Sequence, residues 1–305
     1  MPFKPANYLV QLIFFGNYFY GLCTIGLSIE AELQQRFPLN EWYYYVLLYA
    51  VTVLYYTKAY IDETSAKTSN MRLLWYRHHR RFVIVSQVFL TIIALIIAGF
   101  IMLGNWNVIL KIQLYEWVLI FIFPFVAGLY YGIAGKTIGR YNLRNIGWLK
   151  PFIIGFVWGG LVTVYPILFH NIVSGQHYQI TFIGCLLLLK NTMFVTVLCI
   201  MFDIKDYAMD YNHQLKTFVV KAGLRKTIFA IIIPLCILGL GTFLVYGFTH
   251  GFSAMKMLLN TIPFILLILV AFSLKNRRPI MYYLIIIDGL MFVKAVCGSI
   301  AMVYF

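Results

Sequence analysis

Stretches of about twenty consecutive apolar residues recur along this chain, and they fix its solvent before anything else. That is the length a helix needs to cross the hydrocarbon of a bilayer. They lie near residues 8–27, 42–61, 82–103, 117–134, 152–172, 180–202, 228–248, 252–274 and 280–304. A barrel strand needs only about half that length. In hydrocarbon the backbone must satisfy its own polar groups, so runs this long specify helices. Charged residues make up 11% of the chain, against about 25% in soluble domains, which leaves no surface chemistry for a water-soluble fold of this size. The spacing predicts an all-α, polytopic transmembrane bundle of about nine helices, a single domain over residues 1–305. Pro124, Pro166, Pro234 and Pro263 fall inside the runs and are expected to kink them.

The net charge of +14 raises the question of nucleic acid, and its distribution answers it: no nucleic-acid partner is expected. Basic residues crowd into alternate loops, with Lys58, Lys67, Arg72, Arg77, Arg80 and Arg81 in one, Lys136, Arg140, Arg144 and Lys150 in the next, and Lys205, Lys216, Lys221, Arg225 and Lys226 in a third. The opposite loops hold only Arg36, Lys111 and Lys256. This is the positive-inside asymmetry. It puts the N-terminus inside and the C-terminus outside, in a multi-pass protein of a bacterial cytoplasmic membrane, with membrane lipids as its surroundings. The five cysteines sit in apolar runs without a CxxC pair and read as small packing residues.

The segment Asp203-Ile-Lys-Asp-Tyr-Ala-Met-Asp210 stands where the sixth run leaves the membrane on the basic side. At 100° per residue, Asp203, Asp206 and Asp210 fall within an arc of about 60° on a helix. Three like charges on one face repel one another. Either a divalent cation or a group of lysines and arginines compensates them, or the face is solvated and flanked by Lys205 and Lys216. Mg²⁺ takes one or two carboxylates together with phosphate oxygens and water.

Asp203, Asp206 and Asp210, followed by Lys216-Thr217 and the apolar run ending at Gly223, resemble the second aspartate-rich motif of the UbiA-type intramembrane prenyltransferases. The stretch from Leu149-Lys-Pro-Phe to Trp158, running on to Tyr165-Pro166, resembles that family's fifth span. The resemblance implies a UbiA-like bundle that moves an isoprenyl group from a prenyl diphosphate to a hydrophobic acceptor. It implies Mg²⁺ as cofactor, with Asp203, Asp206 and Asp210 as metal ligands. The family's first motif, N-D-x-x-D, has no match: its positions are taken by Thr57, Lys58 and Ile61, with Asp62 and Glu63 out of register. A lysine would repel Mg²⁺ there, and Lys58 is instead a candidate for direct contact with phosphate or a snorkelling side chain. Arg72 and Arg77, in a run that also holds His78, His79, Arg80 and Arg81, are diphosphate candidates or lipid-headgroup contacts. Asn142, Arg144 and Lys216 complete the diphosphate candidates.

Lys190, Asp288 and Lys294 lie deep within runs, where charges are paired or functional. Counting depths along their spans suggests a Lys190–Asp288 pair, with Lys294 competing. Two other readings stay open: a non-enzymatic bundle that binds or moves a lipid or quinone, and a transporter coupled to ions through Lys190 and Asp288. No Gly-rich phosphate loop or G-x-S-x-G elbow is present.

Overall fold

The computed structural model describes residues 5–62, 71–131, 146–212, 216–276 and 278–305. Helix is the regular structure throughout these residues. The long elements are α1 (Pro5–Phe15), α2 (Tyr18–Gln34), α3 (Trp42–Asp62), α4 (Met71–His78), α5 (Arg80–Gly104), α6 (Leu114–Tyr131), α7 (Lys150–Val173), α8 (Phe182–Asn212), α9 (Leu224–Thr249), α10 (Ala254–Ser273) and α11 (Ile280–Tyr304). Each stretch expected to cross the membrane is helical over most of its described residues, the first being broken at Gly16–Asn17. Among the described residues six helices are long and apolar enough to span, and α1 with α2 makes a seventh as a bent pair. The expectation of nine also counts α3, diluted by tyrosines, and α6, which is short. The chain is a multi-pass integral membrane protein.

The chain falls into two compact units, one of residues 1–26 and 40–111, the other of 27–39 and 112–305. In the first, α3 packs on α5 around Ala50, Val53 and Leu90. Helix α5 buries Val83, Leu90 and Ile97, one residue every second turn, so a single stripe faces protein. Val85, Phe89, Ile96 and Phe100 face outward, as lipid-facing residues do.

In the second unit α8 is the central element, packed against α7 and α9. Gly155 and Gly159, four apart on α7, let it come that close: a Cβ on Gly155 would strike Thr196 and the Thr192 carbonyl, and one on Gly159 would strike Thr192. Two of the prolines act through wide π-helical turns rather than simple kinks. Gly160–Val164 precedes Pro166 and Thr227–Ile232 precedes Pro234, so the turn before each ring absorbs the hydrogen bond that proline cannot make. Pro124 and Pro263 are carried inside continuous helices.

Candidate functional site

Helix α8 runs unbroken to Asn212, so Asp203, Asp206 and Asp210 share one helix as their spacing requires. Their surroundings differ. Asp203 is fully buried, and its Oδ1 accepts a hydrogen bond from Lys150 Nζ at 2.9 Å. Its Oδ2 is buried with no hydrogen-bond partner among the described residues. Asp206 is half-buried and pairs with Lys205 at 3.2 Å. Asp210 is buried, near enough for its charge to act on Lys150.

Lys150 is the first residue of α7 and is followed by Pro151, a favoured start for a helix. A cation there opposes the helix dipole, as does Asp210 in the last turn of α8, each by roughly 0.3–1 kcal/mol. The two helix ends therefore hold charges that helix stability alone disfavours. At the same end, Thr217 caps a short helix, Phe218–Ala222, by accepting from Val220 N. A Cβ on Gly147 would lie 2.8 Å from the backbone of Lys216 and Thr217, so that segment rests directly on the approach to α7. Lys216 itself is exposed. Phe202 and Tyr283 meet here, their ring centroids 5.7 Å apart, which brings the start of α11 to the end of α8.

The remaining diphosphate candidates that are described lie in the first unit. Lys58 is exposed near the end of α3 and Arg77 is half-buried on α4. Arg72 differs from the expectation of a phosphate-gripping side chain: it is buried and spent on the protein's own backbone. Helices α1 and α2 meet at 62°. Asn17 stands at the break with φ 64°, a conformation that asparagine tolerates better than most residues. The Arg72 guanidinium donates to the carbonyls of Phe14 and Phe15, to Asn17 Oδ1 and to Tyr60 Oη. The two carbonyls are orphan acceptors at the C-terminus of α1, where a cation is also favoured. Asn17 in turn donates to Thr57 Oγ1 and Tyr76 Oη, at 3.1 and 3.0 Å. Thr57, standing where the family has its first-motif asparagine, thus helps hold the break. Asn142, Arg144 and Glu63 lie outside the described residues.

The buried charges of the second unit correct the expected Lys190–Asp288 pair. Lys190 Nζ donates to Glu30 Oε1 at 3.3 Å and to Gln34 Oε1 at 2.8 Å. Lys294 donates to the other Glu30 oxygen. Gln34 Nε2 bridges Glu30 Oε1 and Asn260 Oδ1, both at 2.9 Å. The ammonium groups also lie over rings, Lys190 5.3 Å from the centroid of Phe243 and Lys294 5.8 Å from that of Phe194. Phe202, late in α8, meets Tyr283 at the start of α11, while Lys190, early in α8, shares Glu30 with Lys294 further along α11, so these two helices run antiparallel. Gln34 joins Lys190 to Asn260 and Phe194 meets Phe264, in the same order along both helices, so α8 runs parallel to α10. That alternation is what the loop charges demanded. The physical reason for the missed partner is a span boundary: the first apolar run ends at Leu27, whereas α2 continues to Gln34 and carries Glu30 into the protein. The Glu30-x-x-x-Gln34 spacing was the available signal.

No family model matches the sequence, and no curated protein matches it. A solved structure of digeranylgeranylglyceryl phosphate synthase, an enzyme of membranes, matches over 98% of this chain and 99% of its own, with a TM-score of 0.54 and 15% identity. At that identity the likeness is one of fold. The acidic end of α8, first read from the Asp203–Asp210 spacing, therefore sits in a fold shared with that membrane enzyme. This chain has the fold of the UbiA-type intramembrane prenyltransferases.

Proposed function

We propose that the protein transfers an isoprenyl group from a diphosphate donor to a lipid-soluble acceptor, with Mg²⁺ held between the donor and the acidic end of α8, where Asp203, Asp206 and Asp210 are the candidate ligands and one or two of them reach the ion. The observation that carries the reading is Asp203 Oδ2, a buried carboxylate oxygen without a partner among the described residues, on the acidic end of α8. A buried acceptor left unmade costs about 1–3 kcal/mol, more when charged, and a cation would satisfy it. The described residues supply no group of three or more metal-type ligands, so an ion here needs phosphate oxygens to complete its shell, as Mg²⁺ commonly does. When bound, the ion would draw charge onto the departing diphosphate. Lys216, exposed on the same unit as the aspartates, is the side chain offered to the phosphate oxygens; Arg72 is left to the helix break. The carbon–oxygen bond of the donor breaks, the new bond forms to the acceptor, and the acceptor gives up a proton.

Because one acidic motif alone holds metal weakly, Mg²⁺ and donor should each strengthen binding of the other by the same factor. Asp206→Ala is expected to lower Mg²⁺-dependent affinity for a prenyl diphosphate at least tenfold while the protein stays folded, since Asp206 is half-exposed. Titration with and without Mg²⁺ reads this. A wild type indifferent to Mg²⁺, or a variant that binds equally well, would reduce the acidic face to a solvated helix end. It would also favour the non-enzymatic lipid- or quinone-binding reading, which the structural use of Thr57 at the first-motif position already supports.

The proposed orientation puts this acidic end in the cytoplasm of a bacterium. In a cysteine-free background, an impermeant thiol reagent added from outside should label Gln176→Cys, beside Gly175, and miss Asn212→Cys. The reverse pattern would overturn the orientation.

A further inference from the structure

Lys150 is the residue at this end that neither the motif spacing nor the basic-loop pattern singled out as a ligand. It is the only cation seen on Asp203 among the described residues, with 26% of its side chain exposed against none for the aspartate. The charge of Asp210 also acts on this ammonium. The ammonium thus stands where a metal ion would have to bind, while Asp203 Oδ2 next to it has no partner. A lysine at the first position of a helix is disfavoured by the helix dipole, so its place is explained by the carboxylates rather than by α7. Removing one member of a buried ion pair exposes the full cost of the other, which is why the aspartate keeps a counter-ion when nothing else is bound.

We propose that Lys150 is a built-in counter-ion that competes with metal for Asp203 and is itself a diphosphate ligand. This rests on the prenyl-diphosphate reading above. In the ligand-free protein Lys150 neutralises Asp203 and keeps affinity for a divalent ion low. When the diphosphate arrives with its ion, the ion takes the Asp203 carboxylate and the ammonium passes to a phosphate oxygen, a compact charge on a flexible stem suited to that exchange. No bond other than hydrogen bonds and ionic contacts is made or broken. The device makes metal binding conditional on donor binding with only one aspartate-rich motif.

The test uses the full-length protein in detergent, with Mn²⁺ alone as the metal probe, followed by its electron paramagnetic resonance signal, and a prenyl diphosphate as the second probe. Lys150→Met should bind Mn²⁺ without donor at least tenfold more tightly than wild type, a shift of about 1.4 kcal/mol. Its affinity for the metal–diphosphate pair should fall at least tenfold. Lys150→Arg, which keeps the charge and guards against misfolding of the methionine variant, should behave as wild type towards Mn²⁺ alone. Unchanged Mn²⁺ affinity in Lys150→Met, with wild type still binding the metal–diphosphate pair, overturns the role of Lys150 and leaves the functional reading standing. If wild type binds neither metal nor diphosphate, the functional reading fails and this inference fails with it.

Discussion

Glu30→Gln should be among the most damaging single substitutions in this protein. The change removes the carboxylate between two ammonium groups whose residues are 2% and 3% exposed. Breaking a buried pair from one side costs about 3–5 kcal/mol, because the surviving charge stays desolvated without a partner. Here two charges survive. Lys190 keeps the Gln34 oxygen as an acceptor, whereas the Lys294 acceptor seen in the structure is Glu30 itself. Lys294 is therefore the more costly orphan. Adding Lys294→Met to Glu30→Gln should recover part of the lost stability, although Lys294→Met alone should also destabilise. The measurement is thermal unfolding in detergent of the two single variants and the double variant. Losses that simply add would mean that the three side chains do not act as one unit. A separate cycle of Asp288→Asn with Lys190→Met should show no such coupling.

Arg72 carries the second large effect. Its guanidinium fork satisfies Phe14 and Phe15 carbonyls, Asn17 and Tyr60 together, and its plane lies 4.1 Å from the Tyr60 ring centroid. Hydrogen bonds to charged groups are worth about 1.5–3 kcal/mol each, and buried acceptors left without a donor add to the loss. Arg72→Met should destabilise the protein by roughly 3 kcal/mol or more on that basis. Arg72→Lys should rescue little, since an ammonium cannot span a fork of acceptors. Melting curves separate this from a role in binding phosphate. A phosphate ligand would leave the melting temperature of the empty protein unchanged and weaken only the donor's affinity, with lysine a fair substitute.

Much of the fold was legible because membrane helices announce themselves by length and loops by charge. The runs near 82–103 and 280–304 matched α5 and α11 to within a few residues. The antiparallel order of α8 and α11 followed from the loop charges. The face shared by Asp203, Asp206 and Asp210 was readable too, since it depends only on helical periodicity. What escaped depended on where a helix stops or on tertiary partners. Glu30 was missed because hydropathy ends the first run at Leu27, while the helix, stabilised by buried polar contacts, does not end there. Arg72 looked like one more basic residue on a polar segment, because no pattern in the sequence shows a 62° break with carbonyls to fill. Lys150 was counted as an orientation charge, because only the packing of α7 on α8 brings it to Asp203.

The central claim is that this bundle uses a prenyl diphosphate. Its most direct test is incubation of purified wild-type protein in lipid with Mg²⁺, membrane lipid extract as acceptor and radiolabelled isoprenyl diphosphates of several chain lengths. Release of inorganic diphosphate and appearance of label in a new lipid-soluble product are the predicted result, both lost when Mg²⁺ is chelated and both sharply reduced in Asp206→Ala. Binding of no prenyl diphosphate at any chain length, with or without Mg²⁺, would contradict the account.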